Sequence, residues 1–222
     1  MKKRNVFIFD HPLIDHKLSI LRDKNTKPDL FRRLIKEITT LMSYEVLKDL
    51  PLEEVEIETP IKITKARSIP SMRIPTVNLV WRAGGGMLDP VLDQLPTARV
   101  GFMGMYREEN IRRTKGSKRD KVVIKQYYSK LPVDVGQRDA ILLDPMLASG
   151  KSGSRAITIL KKAGVKNIKF MCIVACKEGI RRITTNHPDV QIFCAALDKE
   201  LLPNNYISPG LGDAGDRLYG TK

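Results

Sequence analysis

The chain has 222 residues and carries 39 Lys and Arg against 25 Asp and Glu, a formal net charge of +14. Its 42% apolar and 29% charged residues are typical of a folded globular protein and exclude a disordered one. The apolar runs are too short for a transmembrane helix. Only four apolar residues, 6–9, follow the basic N-terminus, too few for the apolar core of a secretory signal. The positive charge predicts an anionic partner: nucleic acid, a membrane surface or a phosphorylated substrate.

The three cysteines are too few to form a disulfide framework. Cys172 and Cys176 have C-x3-C spacing without a nearby histidine, so a zinc site is disfavoured. The pattern predicts buried thiols in a reducing cytosol.

The N-terminal third combines one long helix with several strands. Residues 11–23 show no clear pattern, whereas apolar residues recur every three or four positions over 29–50 and predict an amphipathic helix that ends at Pro51. Apolar and polar residues alternate over 55–63, and a β-branched run covers 74–81. Both patterns predict strands.

The second half alternates strands with helices, which predicts a parallel sheet flanked by helices. The predicted strands are 99–105, 122–130, 140–143, 168–175 and 190–197, and the predicted helices are 87–95, 152–163 and one that starts near Lys177. The run 140–143 is typical of a central strand buried on both faces. Residues 201–222 show no periodicity. Ligands of such sheets bind at the carboxyl ends of the strands, so the segments after each strand are the candidate sites.

The turn 144–152, Asp-Pro-Met-Leu-Ala-Ser-Gly-Lys-Ser, is the strongest candidate. Its backbone N–H groups and the hydroxyls of Ser149 and Ser152 suit an anion, and Asp144 suits a sugar hydroxyl. A nucleotide-triphosphate P-loop is rejected because that motif needs glycine where Pro145 stands. The alternative is an ordinary, well-capped strand-to-helix turn.

Two other segments carry weaker signals. Arg82 follows a predicted strand and precedes three glycines, a pattern that suits either a phosphate clamp or a flexible turn. Tyr106-Arg107 also follows a predicted strand and allows the same two interpretations. Residues 206–217 combine Gly and Pro with Asp213 and Asp216, which favours a functional loop that reads the edge of a small planar ligand.

Together these segments resemble the uracil phosphoribosyltransferase family over nearly the whole chain. The most specific motifs are Asp-Pro-Met-Leu-Ala at 144–148 and Pro-Gly-Leu-Gly-Asp-Ala-Gly-Asp at 209–216, and Pro-Leu-Glu-Glu-Val at 51–55 and Arg-Ala-Gly at 82–84 add to them.

The resemblance implies a type I phosphoribosyltransferase fold: a Rossmann-like parallel sheet flanked by helices. It implies one domain over 1–222, with a helical and hood part (1–60), a protruding β-arm with a basic insertion (107–130) and a uracil-binding C-terminal segment (198–222). The implied activity is pyrimidine salvage: a pentosyl transfer from 5-phospho-α-D-ribose 1-diphosphate (PRPP) to uracil that yields UMP and diphosphate.

The resemblance also implies Mg²⁺ held mainly through the substrate diphosphate, and a cytoplasmic homodimer or tetramer. A GTP effector is left open, and neither a membrane nor nucleic acid is the expected partner.

The resemblance assigns the site residue by residue. The PRPP-binding residues are Arg82, Arg107, Asp144, Pro145, Met146, Leu147, Ala148, Ser149, Gly150, Lys151, Ser152 and Asp213. The uracil-binding residues are Ile207, Gly212, Asp213 and Ala214. The matched site segments contain no histidine, so no general base is assigned and Asp213 is only a candidate.

The chain departs from the family pattern at three places. Lys151 replaces a usual glycine, and a positive φ there would cost about 1 kcal/mol or more. Trp81 replaces a usual aliphatic residue and either alters the wall of the site or fills core. An apparent insertion spans 111–121, and residues 112–125 hold seven basic residues and one acidic residue. The insertion is interpreted as a solvated arm, with a lid for the polyanionic substrate or a nucleic-acid contact as alternatives.

Two rival functions remain at this point. An RNA-binding regulator of a pyrimidine operon with the same fold would also suit the charge, and a paralogue weakened at Lys151 would explain the altered turn. Formation of UMP distinguishes the enzyme from the regulator, and gain of activity in Lys151→Gly would identify the weakened paralogue.

Overall fold

The computed structural model describes residues 5–110 and 121–221. Over these ranges the strands are β1 (Val6–Ile8), β2 (Glu53–Glu58), β3 (Ile63–Ser68), β4 (Thr76–Trp81), β5 (Val100–Asn110), β6 (Lys121–Lys130), β7 (Ala140–Leu143), β8 (Met146–Leu147), β9 (Ile168–Cys176), β10 (Gln191–Asp198), β11 (Glu200–Leu201) and β12 (Ile207–Ser208). The α-helices are α1 (Pro12–Arg22), α2 (Pro28–Val46), α3 (Leu88–Gln94), α4 (Lys151–Lys162), α5 (Lys177–Asn186) and α6 (Ala214–Tyr219). Short 3₁₀ turns lie at Ser71–Arg73, Ala83–Met87 and Val135–Gln137.

The main sheet has the strand order β1-β10-β9-β7-β4-β5-β6, with β8 also paired to β9. Pairing is parallel from β1 to β5, and β6 closes the edge antiparallel to β5. All four residues of β7 are buried, which confirms the predicted central strand. The predicted α/β fold class is therefore confirmed, with 122–130 as an antiparallel edge strand.

Two apolar clusters cover the two faces of the sheet. One is centred on α2, where Phe31, Ile35 and Ile38 are fully buried together with Leu79 of β4. The other faces α4 and α5 and includes Val80, the next residue of β4, because side chains alternate along a strand. Each fully buried large side chain contributes about 1.5–3 kcal/mol to the hydrophobic driving force.

Some elements differ from the sequence prediction. Helix α1 was not predicted, although Ile14, Leu18 and Leu21 are spaced for one buried face and the His11 side chain accepts a hydrogen bond from the Leu13 N–H. Helix α2 ends at Val46, before the predicted end at residue 50. Strand β1 and helix α6, with three and six residues, are too short to give a periodic signal.

Strands β2 and β3 form a separate two-stranded antiparallel sheet, and β5 with β6 forms a long hairpin. The predicted basic insertion 111–121 lies outside the described residues apart from Lys121, where β6 begins. In the described ranges no helix is long and apolar enough to cross a membrane.

The three cysteines are buried and unpaired, as predicted. Burial raises the pKa of the Cys172 thiol well above its usual value, so this thiol stays protonated near neutral pH.

Candidate active site

A cleft of about 440 Å³ opens at the carboxyl edge of the sheet. Three segments distant in sequence line it: residues 80–83 at the end of β4, residues 144–153 after β7, and residues 205–215 near the C-terminus. Met105, Tyr106 and Tyr127 of the β5–β6 hairpin complete the wall. The cleft lies where a parallel α/β sheet is expected to bind ligands.

The turn before α4 is bonded to the end of β9 and to α5. The Cys176 thiol donates to the Ala148 carbonyl at 3.0 Å, and Arg182 Nε donates to the Ser149 carbonyl at 2.7 Å. A Cβ at Gly179 would lie 2.5 Å from the carbonyl oxygens of Leu147 and Ala148, so only glycine permits this approach. These carbonyls therefore point away from the cleft, and the first N–H groups of α4, which have no intrahelical acceptor, lie at the same turn. The arrangement suits a phosphate group.

Gly150 provides the left-handed conformation in this turn, with φ of 73°. Lys151 is the first residue of α4, and Asn205 is the one non-glycine residue with positive φ in the described part of the chain. Lys151 therefore has no positive φ, and the backbone strain that a positive φ would cause there does not arise.

Asp144 follows β7 directly and lines the cleft. Its N–H donates to the Met171 carbonyl at 3.2 Å, and its Oδ1 accepts from the Met146 N–H at 3.3 Å. Pro145 and Leu147 are buried, and the Pro145 carbonyl accepts from two N–H groups of β9. These two predicted site residues thus lie in the sheet beneath the turn, whereas Met146, Ala148, Ser149, Gly150, Lys151 and Ser152 line the cleft.

Arg82 is fixed by the C-terminal helix. Its guanidinium donates to Asp216 Oδ1 at 3.1 Å and to Thr221 Oγ1 at 3.3 Å, and its carbonyl accepts from the Tyr219 hydroxyl at 3.2 Å. The peptide before it is cis. A Cβ at Gly84 would lie 2.6 Å from the Leu143 carbonyl oxygen, so glycine lets this turn pack against β7. Arg82 is therefore positioned rather than carried on a flexible turn.

The C-terminal segment is held by an ion pair between Asp198 and an arginine far away in sequence. Arg22 of α1 donates to both carboxylate oxygens of Asp198, at 2.6 and 2.8 Å. The Gly210 N–H donates to Asp198 Oδ2 at 2.8 Å, and the Gly210 carbonyl accepts from Arg22, also at 2.8 Å. Gly210 and Gly212 both have positive φ, so the segment turns sharply twice before α6.

Asp213 caps α6, accepting from the Asp216 N–H at 3.0 Å, and is exposed in the cleft. All four predicted uracil-binding residues line this part of the cleft: Ile207, Gly212, Asp213 and Ala214. His11, His16 and His187, all in the described ranges, do not line it. Asp144 and Asp213 are its carboxylates among the described residues.

The structure also brings in residues that the sequence analysis did not select. Gly179 and Arg182 support the turn from α5, a role that depends on tertiary contact and leaves no local sequence signal. Asn205 lines the cleft, is 7% exposed, and its Nδ2 has no hydrogen-bond partner within the described residues. The side chain of Arg107 lies outside the described part, so its assignment stays a prediction; its backbone pairs with Ile124.

The parallel sheet with a cleft at its carboxyl edge has the fold of the phosphoribosyltransferases. The structure resembles an adenine phosphoribosyl transferase from Trypanosoma brucei, with a TM-score of 0.50 and 12% identity over 87% of this chain and 84% of that one, a likeness of fold alone. A solved structure of a protein from Aquifex aeolicus is much more similar, with a TM-score of 0.87 and 34% identity over 98% of this chain and 99% of that one.

The sequence model of uracil phosphoribosyltransferase matches residues 8–221. Uracil phosphoribosyltransferases from Geobacillus kaustophilus and Anoxybacillus flavithermus are 50% and 49% identical over 217 residues, which cover 98% of this chain and 99% of each relative. The chain belongs to the uracil phosphoribosyltransferase family. The resemblance inferred from the sequence motifs is thereby confirmed.

Proposed function

We propose that the chain transfers the phosphoribosyl group of PRPP to uracil, forming UMP and diphosphate in pyrimidine salvage. The observation that carries this proposal is that one cleft is lined by a turn suited to phosphate, a fixed arginine and a C-terminal segment suited to binding a small planar base. The near 50% identity to uracil phosphoribosyltransferases along nearly the whole chain supports the same activity.

The turn at 148–152 is the proposed site of the 5-phosphate. The carbonyls of Ala148 and Ser149 are bonded to Cys176 and Arg182. The N-terminal end of α4 carries N–H groups and a partial positive charge. The hydroxyls of Ser149 and Ser152 add donors, and Asp144 at the start of the turn is the proposed partner of the ribose hydroxyls. A phosphate here would fix the sugar so that its anomeric carbon faces the C-terminal segment.

Arg82 is the proposed ligand of the diphosphate, with Arg107 as a second cation. Displacement of diphosphate leaves negative charge on the leaving group and develops positive charge on the ribose ring. Because Asp216 already orients Arg82, little side-chain entropy is lost when the guanidinium meets the leaving group. Most of the rate enhancement would come from positioning and preorganised charge.

Uracil is the proposed ligand of the segment that contains Ile207 and Gly212–Ala214. The second glycine turn, at the exposed Gly212, lies in the cleft, and its backbone groups suit the carbonyl and N–H edge of a pyrimidine. The attacking ring nitrogen must lose a proton, and Asp213 is the candidate base because it is the exposed carboxylate of this segment. Its other role, capping α6, fixes where that carboxylate lies.

The residues of the cleft fit a magnesium ion that arrives with the substrate. In the described ranges no group of three or more His, Cys, Asp or Glu side chains is arranged for a metal ion. Mg²⁺ commonly binds through one or two carboxylates, several waters and substrate phosphates, and Asp144 is the protein group proposed to hold it. When bound, the ion would neutralise charge on the leaving diphosphate.

The further proposals concern the assembly and its regulation. The family resemblance suggests a homodimer or tetramer in the cytoplasm, with GTP as an effector to be tested, and a single domain divided into hood, arm and uracil-binding parts as set out above. Sedimentation combined with activity titrations against GTP and CTP tests the assembly and the effector together.

The activity is tested by incubating the chain with labelled uracil, PRPP and Mg²⁺ and separating UMP. We expect UMP in an amount equal to the diphosphate released, and no product when PRPP is replaced by ribose 5-phosphate. Absence of UMP together with salt-dependent retention of RNA would contradict the enzyme and support the RNA-binding regulator.

A further inference from the structure

Trp81 is the chain's single tryptophan and the last residue of β4. The sequence left two interpretations open, a wall of the site or a core residue. The structure distinguishes them, because Trp81 is 42% exposed and lines the cleft. A core residue at the end of a central strand would instead be buried like its neighbour Val80, which is 7% exposed.

The indole is held in a defined orientation. A Cβ at Gly85 would lie 3.2 Å from Trp81 Cζ3, so the ring packs over a residue that has no side chain. Phe102 of β5 meets the indole edge-on, with ring centroids 6.1 Å apart and an interplanar angle of 70°. These contacts limit rotation of the ring of a residue that is both exposed and part of the cleft lining.

Two residues next to Trp81 contact α6, the helix that follows the segment proposed to bind uracil. Arg82, the next residue, is bonded to Asp216 of α6. A Cβ at Gly85, beneath the indole, would lie 2.7 Å from the hydroxyl of Tyr219, also in α6. Trp81 and the segment proposed to bind uracil line one cleft, and α6 begins immediately after Asp213.

An exposed aromatic surface contributes little to binding phosphate groups, but it stacks well against a planar base. We propose that Trp81 is a specificity-determining residue whose indole packs against the face of the pyrimidine ring. The backbone of the C-terminal segment reads the edge of that ring, and the two contacts together select a small planar base. This inference rests on the proposed function. It adds a side chain, the Trp81 indole, that recognises the face of the base.

The kinetic test compares Trp81→Leu, which keeps an apolar wall, with Trp81→Phe, which keeps a ring. We expect Trp81→Leu to raise KM for uracil about tenfold and Trp81→Phe to raise it less, because base–aromatic stacking is lost or reduced. KM for PRPP should change less than about twofold. Tyr44→Leu, at an aromatic residue 75% exposed on α2, is the matched control and should change neither constant.

The spectroscopic test uses the single tryptophan of the unmodified chain. UMP and ribose 5-phosphate share a phosphate and a sugar and differ in the base, so their effects on indole emission separate the base from the rest of the ligand. We expect UMP to change the emission of Trp81 and ribose 5-phosphate to leave it nearly constant at saturating concentrations.

The outcomes separate this inference from the proposed function. If the wild-type chain forms UMP while Trp81→Leu keeps its KM for uracil, or UMP and ribose 5-phosphate alter the emission equally, the inference is overturned and the function stands. If the wild-type chain forms no UMP, the proposed function fails and the inference fails with it.

Discussion

The turn at 148–152 and the C-terminal segment line the same cleft but are stabilised in different ways. The turn at 148–152 is held by contacts with the end of β9 and with α5, which follow it within about thirty residues: Cys176 of β9 and Gly179 and Arg182 of α5 all contact its carbonyls. The C-terminal segment depends on a side chain far away in sequence, since Arg22 reaches Asp198 and Gly210 across 176 and 188 residues. The turn is thus a local feature of one strand–helix unit, whereas the base-reading segment needs the whole fold.

Loss of the long-range support should give the largest effect. Arg22→Ala removes the cation paired with Asp198, whose side chain is 6% exposed, and leaves a nearly buried carboxylate with the Gly210 N–H but no opposite charge. We expect the free energy of unfolding to fall by about 3 kcal/mol, measured by urea denaturation. The control is Lys36→Ala, which breaks an exposed pair with Asp89 and should cost less than about 1 kcal/mol. Equal losses in the two variants would contradict the structural role of Arg22.

A substitution within the C-terminal segment tests its chemistry. Asp213→Asn preserves the cap of α6, since Asn caps a helix as well as Asp does, but it removes the candidate base. We expect kcat to fall about a hundredfold, measured from initial rates with saturating substrates. Glu200→Gln removes an exposed carboxylate from nearby β11 and should leave kcat unchanged. A kcat for Asp213→Asn close to that of the wild type would exclude Asp213 as the base.

A substitution behind the turn tests the other region. Gly179→Ala would bring a methyl group against two carbonyls of the turn and displace the proposed phosphate site. We expect kcat/KM for PRPP to fall by about tenfold or more, because small displacements of a positioned substrate are costly. Lys177→Ala, at an exposed residue of the same helix, serves as the control. An unchanged kcat/KM for PRPP in Gly179→Ala would show that the turn does not position the phosphate.

The smallest effect is expected at Lys151. Because the left-handed residue of the turn is Gly150, Lys151→Gly relieves no strain and should lower the free energy of unfolding by about 0.5–1 kcal/mol through a weaker helix start. Activity should not rise, as initial rates will show. A large gain in activity would instead support the weakened-paralogue interpretation.

The same contrast explains what could be predicted from the sequence. The central strand 140–143 and the turn after it form a continuous local pattern, so their structure and their place at the sheet edge were predictable. Helix α6 is too short to show periodicity, and its position depends on contacts with Arg82 and α2 that no local pattern encodes.

Residue roles divide in a similar way. The motifs selected most of the residues that line the cleft, but the backbone support from Gly179 became visible only once α5 was packed against the turn. Pro145 and Leu147 belong to a functional motif and yet lie beneath the site. The Pro145 carbonyl is bonded to β9, and Leu147 of the short strand β8 is buried.

A structure of the chain with bound UMP tests most directly whether these two regions share one ligand. The account predicts the phosphate at the turn 148–152, the edge of the pyrimidine at 207–214, and its face against Trp81. A UMP phosphate bound away from α4, or a base that contacts neither the C-terminal segment nor the indole, would contradict it.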